Sequence, residues 1–217
     1  MNEVCIEKLI TELTAYIRCC LSDYRYQHSC RVATFAEELA LRYGYDKKQQ
    51  RLCYLAGIAH DMCKEEPKAA LLRTVQQDGQ PVSPEEAENS ELLHGRAAAV
   101  KLRERYGIHQ KKLLNAVRFH TSASAKFDAV GKIIYISDKI EPGRKNCGYL
   151  REKVPELSLD ELFFTVLKEV ISFVEKKGQK VQGYTYKVYH FMQKQIVRQN
   201  APQLVLPHHT GTWRNKE

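Results

Sequence analysis

Apolar residues recur at steps of three and four along nearly the whole chain, the period of one helix face. Ile6, Leu9, Ile10, Leu13, Ile17 and Cys20 form one such stripe. Val32, Phe35, Ala36, Leu39, Ala40 and Tyr43 form a second, with Gly44 placed to end it. Leu52, Leu55, Ala56 and Ala59 make a third. Pro67 can open a short helix to about Val75, closed by Gly79 and Pro81. Ser83-Pro84-Glu85-Glu86 spells a capping box, which starts another. Further stripes are Ala98, Leu102 and Tyr106; Leu113 and Val117; and Val130, Ile133, Ile134 and Ser137. The spacing then predicts a long helix over Leu159–Lys176 and an amphipathic one from Tyr184 to about Gln195, around Tyr186, Val188, Tyr189 and Met192. Only Gln203–Pro207 alternates like a strand. The expected fold class is therefore all-α, with one domain over 1–199 and a flexible or partner-docked tail over 200–217.

Composition narrows the function. Of 217 residues 43% are apolar and 28% charged, which suits a globular chain and excludes a disordered one. No apolar run approaches the roughly 20 residues that span a bilayer. The acidic start Met1-Asn2-Glu3-Val4-Cys5-Ile6-Glu7 does not read as an export signal. The seven cysteines include no Cys-x-x-Cys pair, so they are expected to be free, mostly buried thiols of a cytoplasmic protein. Lys and Arg outnumber Asp and Glu by 34 to 26, a formal charge of +8, which favours anionic partners. The basic residues form no block and no nucleic-acid motif, so nucleic acid is not the expected partner.

Five of the eight histidines fall where the stripes put them inside: His28, His60, His94, His120 and, more weakly, His190. His28 lies four residues before Val32. His60 directly follows the stripe that ends at Ala59, with Asp61 beside it. His120 extends the Leu113–Val117 stripe by three, and Asp138 extends Val130–Ile134 by four. A charged Asp at the end of a buried face is costly unless something positive meets it. Four imidazoles and two carboxylates directed into one core read as metal ligands. Helix neighbours such as His60 and Asp61 project about 100° apart, so they bind one ion between them or bridge two. Six donors exceed the roughly four that zinc takes and suit two ions about 3.5–4 Å apart.

These residues carry a family resemblance. The order His28 … His60-Asp61 … Asp138 resembles the HD-domain metal-dependent phosphohydrolases. Tyr26-Gln27-His28-Ser29-Cys30-Arg31-Val32, Ala59-His60-Asp61-Met62-Cys63-Lys64, Leu92-Leu93-His94-Gly95, Phe119-His120-Thr121 and Ser137-Asp138-Lys139-Ile140-Glu141-Pro142-Gly143-Arg144 resemble one bacterial group of them. That group is the symmetrical bis(5′-nucleosyl)-tetraphosphatases, which cleave diadenosine tetraphosphate into two ADP. The resemblance runs from about residue 6 to about 195. It departs after the fourth histidine, where Thr121-Ser122-Ala123-Ser124 replaces a Thr-Thr-Gly, so a different loop path is expected there.

The resemblance implies an HD-domain helical bundle with its ligands on facing helices. His28, His60, Asp61 and Asp138 would hold one ion, and Asp61 would bridge to a second completed by His94 and His120. Two divalent or trivalent ions are implied, iron first, with manganese, cobalt or zinc as alternatives. The implied reaction is attack of a metal-bridging hydroxide on phosphorus, with Asp61 and Lys64 as the catalytic residues. Arg31, Lys64, Lys139 and Arg144 would bind the substrate's phosphates, Arg31 because it lies one helical turn after His28. Loop 121–130 and segment 73–93 are expected to wall a pocket for one nucleoside diphosphate, releasing an ADP- or GDP-like product. Two other readings fit the same residues: another HD phosphohydrolase, acting on nucleoside monophosphates or cyclic nucleotides, and a non-catalytic HD module that binds nucleotides or nucleic acid. Leu204-Val205-Leu206 in the tail leaves a homodimer open, and His208-His209 reads as incidental.

Overall fold

The computed structural model describes residues 2–200. Among them all regular structure is helical, in eleven α-helices and three short 3-10 turns. The first helix, α1, spans Glu3–Cys20 and starts where the Asn2 side chain accepts from the Cys5 N–H. It buries Ile6, Leu9, Ile10, Leu13 and Ile17. Ser22 caps α2, Asp23–Arg42, and the chain turns over at Gly44, whose φ is 75°. An Asp46/Gln49 capping box opens α3, Lys47–Ala59.

The packing of α2 on α3 depends on one glycine. A Cβ at Gly57 would stand 2.5 Å from Ala33 Cα, so only hydrogen lets the two backbones meet. That close approach sets His28 on α2 against His60, which follows α3.

Next come α4, Lys68–Val75, and α5, Pro84–Glu88, which begins at the expected Ser83/Glu86 capping box. Arg96 fastens the segment between and around them. It is buried, yet it donates to both Asp78 oxygens at 2.9 and 3.1 Å, to the carbonyls of Gln80 and Pro81, and to Glu86 at 2.7 Å. Arg96 belongs to α6, His94–Tyr106, and α7 follows as Lys111–Phe119.

At the centre lies α8, Ala129–Ile140, which packs against α2, α3, α7 and also α10. Its Ile133, Ile134, Tyr135, Ile136 and Ile140 are fully buried. Each such side chain contributes about 1.5–3 kcal/mol of transfer free energy, which offsets the cost of burying Asp138 on the same helix. The short α9, Gly148–Glu152, leads to α10, Leu159–Lys176, whose bounds match the spacing prediction. The last helix, α11, spans Gly183–Asn200 and so runs past the expected end near Gln195.

Two expectations are corrected here. All seven thiols are free, but only Cys53 and Cys63 are buried; Cys5, Cys19 and Cys20 are exposed, because they sit on the outer face or the end of α1. His190 is exposed, because α11 buries Thr185, Val188 and Met192 and turns His190 away. Among the described residues no helix is long and apolar enough to cross a membrane. The expected tail, with its Gln203–Pro207 alternation and His208-His209, lies outside the described residues.

Candidate metal centre

His28 projects from the second turn of α2 and Asp138 from the last turn of α8. The other four sit at helix ends. His94 is the first residue of α6, and His120 directly follows α7. His60 and Asp61 lie in the turn after α3, so the doublet is not a pair of helix neighbours as its spacing suggested. His60 keeps helical backbone angles, φ -57° and ψ -40°, as the chain enters the turn.

All six are buried. The rings form a row, with centroids 5.3 Å apart for His28–His60, 5.0 Å for His60–His120 and 4.9 Å for His120–His94. Each ring is held through Nδ1. His60 donates to Gly57 O at 2.6 Å, His120 to Val117 O at 2.7 Å, His94 to Glu91 O, and His28 to Glu141 Oε1 at 3.1 Å. A neutral ring that donates from Nδ1 keeps a lone pair on Nε2. Those four Nε2 atoms converge.

The carboxylates stand among them. Asp61 Oδ1 lies 3.0 Å from His94 Nε2 and 3.4 Å from His120 Nε2. Its Oδ2 lies 3.6 Å from His60 Nε2 and 3.9 Å from His28 Nε2. Asp138 Oδ1 is 3.1 Å from His28 Nε2 and 3.8 Å from His60 Nε2. Asp61 thus offers one oxygen to each end of the row. Ligand atoms of His28, His60 and Asp138 lie within 4.8 Å of one another, as do those of His60, Asp61 and His120, so each trio could hold a metal ion.

The electrostatics fit that use. Burial drives the His60 pKa down to about 4 and lowers that of His94 too, so both are neutral donors at physiological pH. Burial alone would raise the Asp61 carboxyl, but His60, His120 and His94 outweigh it and hold it well below the usual range. Asp138 is also held low against its burial, by Lys139 and then by His28 and His60. Among the described residues His60 Nε2 is buried without a hydrogen-bond partner. An orphaned imidazole nitrogen facing two ionised carboxylates fits a cation, and oxygen with imidazole donors fits a divalent transition metal.

Residues 25–143 match the family described as HD domain. The chain belongs to the HD-domain family. This HD-domain protein is 30% identical over 182 residues to the Bis(5′-nucleosyl)-tetraphosphatase, symmetrical, of Bacillus subtilis, covering 83% of the chain and 96% of the relative. It is 32% identical to the enzyme of the same name from Staphylococcus aureus, covering 76% and 84%. It also superposes on the crystal structure of a predicted HD superfamily hydrolase involved in NAD metabolism from Clostridium acetobutylicum. There the TM-score is 0.77 at 32% identity, covering 85% of this chain and 97% of the other.

The four basic residues singled out in the HD-domain protein take different places. Lys139 Nζ donates to Asp138 Oδ2 at 2.6 Å, and Arg144 Nη2 to Asp138 Oδ1 at 3.1 Å. Arg31 pairs instead with Glu141, Nε to Oε2 at 2.7 Å. Lys64, on the His94 side, lies 3.5 Å from Glu91 Oε2. Two residues escaped the sequence reading. Glu141, buried, joins His28 to Arg31; it lies one turn after Asp138, a spacing that marks a second carboxylate on the same side. Arg25 reaches Asp61 Oδ2 at 3.4 Å; it lies one turn before His28, so the rule that picked Arg31 on the other side applies to it equally.

The loop after His120 also departs from expectation. Ala123 takes a φ of 64°, the left-handed conformation that suits glycine, and its N–H donates to Phe119 O at 2.8 Å. An alanine occupies this left-handed position, at a cost of about 1 kcal/mol.

Proposed function

We propose that this protein hydrolyses dinucleoside tetraphosphates symmetrically, diadenosine tetraphosphate giving two ADP. The observation that carries the reading is the convergence of four Nδ1-anchored imidazoles and two ionised carboxylates in one buried row. The relatives from Bacillus subtilis and Staphylococcus aureus, both named as symmetrical bis(5′-nucleosyl)-tetraphosphatases, supply the substrate class.

His28, His60, Asp61 and Asp138 would hold one ion. His94 and His120 would hold a second, shared through Asp61. Iron is the first choice; manganese, cobalt and zinc accept the same donors. When bound, such ions supply Lewis acidity that lowers the pKa of water toward 7 and offsets phosphate charge. The chain's own residues do the rest. Asp61 and Asp138 bring negative charge that keeps the ions in place. Glu141 accepts from His28 Nδ1 and so fixes the ring's tautomer and aim.

The substrate is polyanionic, and cationic side chains rim the row. Arg144, 38% exposed, and Lys139, 22% exposed, lean on Asp138 with donors left for phosphate oxygens. Arg25, 29% exposed, does so beside Asp61. Arg31 keeps an exposed edge while paired to Glu141. Water attack at the phosphorus next to the central bridging oxygen forms one P–O bond and breaks the bridge, and Lys64 gives a proton to the departing ADP or stabilises its charge.

Chromatography of the products tests the reading. Two ADP per diadenosine tetraphosphate is the expected result. AMP plus ATP, or no cleavage by the metal-loaded protein, overturns it. The His60→Ala, Asp61→Ala double variant should lose all nucleotide hydrolysis.

A further inference from the structure

A cavity of about 240 Å³ opens beside the histidine row. Its wall includes Phe119 and Thr121, the chain neighbours of His120, and Leu92, two residues before His94. One side is aromatic. Phe119 and Tyr184 stack at 28° with centroids 6.3 Å apart. Tyr184 is placed by its hydroxyl, 3.4 Å from Ser124 Oγ, and the next residue, Thr185, donates to Ser122 O at 3.0 Å. The other side is acidic, from Glu85 and Glu86. Glu86 is engaged by Ser83 N and Arg96. The Glu85 carboxylate has no hydrogen-bond or ion-pair partner among the described residues. The buried Arg96 fixes this acidic wall through its bonds to Asp78, Gln80, Pro81 and Glu86, so the cavity is held open by a rigid frame.

This is not a second phosphate site. Two carboxylates line it and repel an anion, and Arg96 is committed to Asp78 and Glu86; Arg118, paired to Asp78 Oδ2 at 2.8 Å, is the one guanidinium with donors left. Aromatic faces with one free carboxylate suit a flat heterocycle that brings N–H donors along its edge. Guanine presents two adjacent donors, N1–H and the N2 amine, which one carboxylate accepts together. Adenine offers a single amine beside an acceptor nitrogen that a carboxylate repels.

We infer that this cavity receives the base of the nucleotide half held at the metal centre, and that Glu85 makes it prefer guanine to adenine. The inference rests on the hydrolase reading for its substrate class, and assigns that substrate's base subsite.

The test compares wild type with Glu85→Gln, using diguanosine and diadenosine tetraphosphate as substrates. Equilibrium binding of free guanosine and adenosine to the same proteins is measured alongside. Wild type should show a KM about ten-fold lower for the guanosine substrate, the scale of one paired hydrogen-bond contact. A glutamine offers a donor next to an acceptor, the match for adenine, so Glu85→Gln should move the KM ratio about ten-fold or more toward adenosine. The nucleosides should follow the same order. Tyr184→Ala should weaken both bases together. A base ratio unchanged by Glu85→Gln, in kinetics and in nucleoside binding, overturns the inference. If neither substrate is cleaved but guanosine binds with a Glu85-dependent preference, the hydrolase reading fails and the base pocket stands.

Discussion

His94 and His120 turn their Nε2 atoms toward each other across 2.9 Å. Each ring's Nδ1 is already donating to a carbonyl, that of Glu91 or Val117. Two rings so anchored face each other nitrogen to nitrogen, an arrangement that a cation between them and Asp61 Oδ1 makes favourable. What brings the rings together is a glycine. A Cβ on Gly95 would meet Arg118 O at 2.8 Å and Val117 O at 2.9 Å. Gly95→Ala should therefore force α6 off the end of α7, destabilise the fold by about 1–3 kcal/mol, and lower the bound metal from two ions toward one. Metal analysis and a denaturant melt check it; two ions retained at wild-type affinity would refute it.

Glu141 accepts from His28 and pairs with Arg31, and its carboxyl is held below its usual range, Arg31 and His28 outweighing the burial that would raise it. Glu141→Gln keeps the shape and removes the charge. Metal affinity should fall about 10–100-fold, as for other residues that orient a ligand. Competition with a chelator measures it.

Ala123 is buried and sits at φ 64°. Ala123→Gly relieves left-handed strain but removes a buried methyl and loosens the unfolded chain, effects of about 1 kcal/mol each way, so stability should change little. Ala123→Val puts a β-branched residue in that conformation within a packed site and should cost about 2–3 kcal/mol. Paired urea melts of the two variants separate these expectations.

The Asp78 side chain is nearly closed to solvent, 3% exposed, and burial would raise its pKa, but Arg96, the Gln80 N–H and Arg118 bring it below the usual 3.8. A folded-state pKa below the unfolded one stabilises the protein above about pH 4, and the contribution fades as pH falls through the folded value. Asp78→Asn should lose about 3 kcal/mol at pH 7, because it leaves Arg96 and Arg118 short of a counter-charge. Its stability should also fall less steeply than that of wild type below pH 4. Melts from pH 7 to pH 3 supply the comparison.

The helices were legible because their stripes are long and uninterrupted: α10 falls on its predicted bounds, and the ligand histidines extend or continue buried stripes. Chain turns were less legible. The turn that follows Ala59 and carries His60 and Asp61 has no glycine or proline at its start to announce it, since Gly57 serves packing against Ala33 instead. Glu141 and Arg25 were hidden for another reason. A charged residue near a helix end reads as solvated until the fold shows what it faces, His28 and Arg31 for the one and Asp61 for the other. His190 failed in the opposite sense, because a stripe of four residues leaves the buried face of α11 ambiguous by nearly half a turn.

Anomalous scattering from crystals grown with manganese tests the central claim most directly. Two peaks are predicted, one bounded by His28, His60 and Asp138 and one by His94 and His120, with an Asp61 oxygen on each. A single peak with His94 and His120 uncoordinated, or none within the row, would contradict the account.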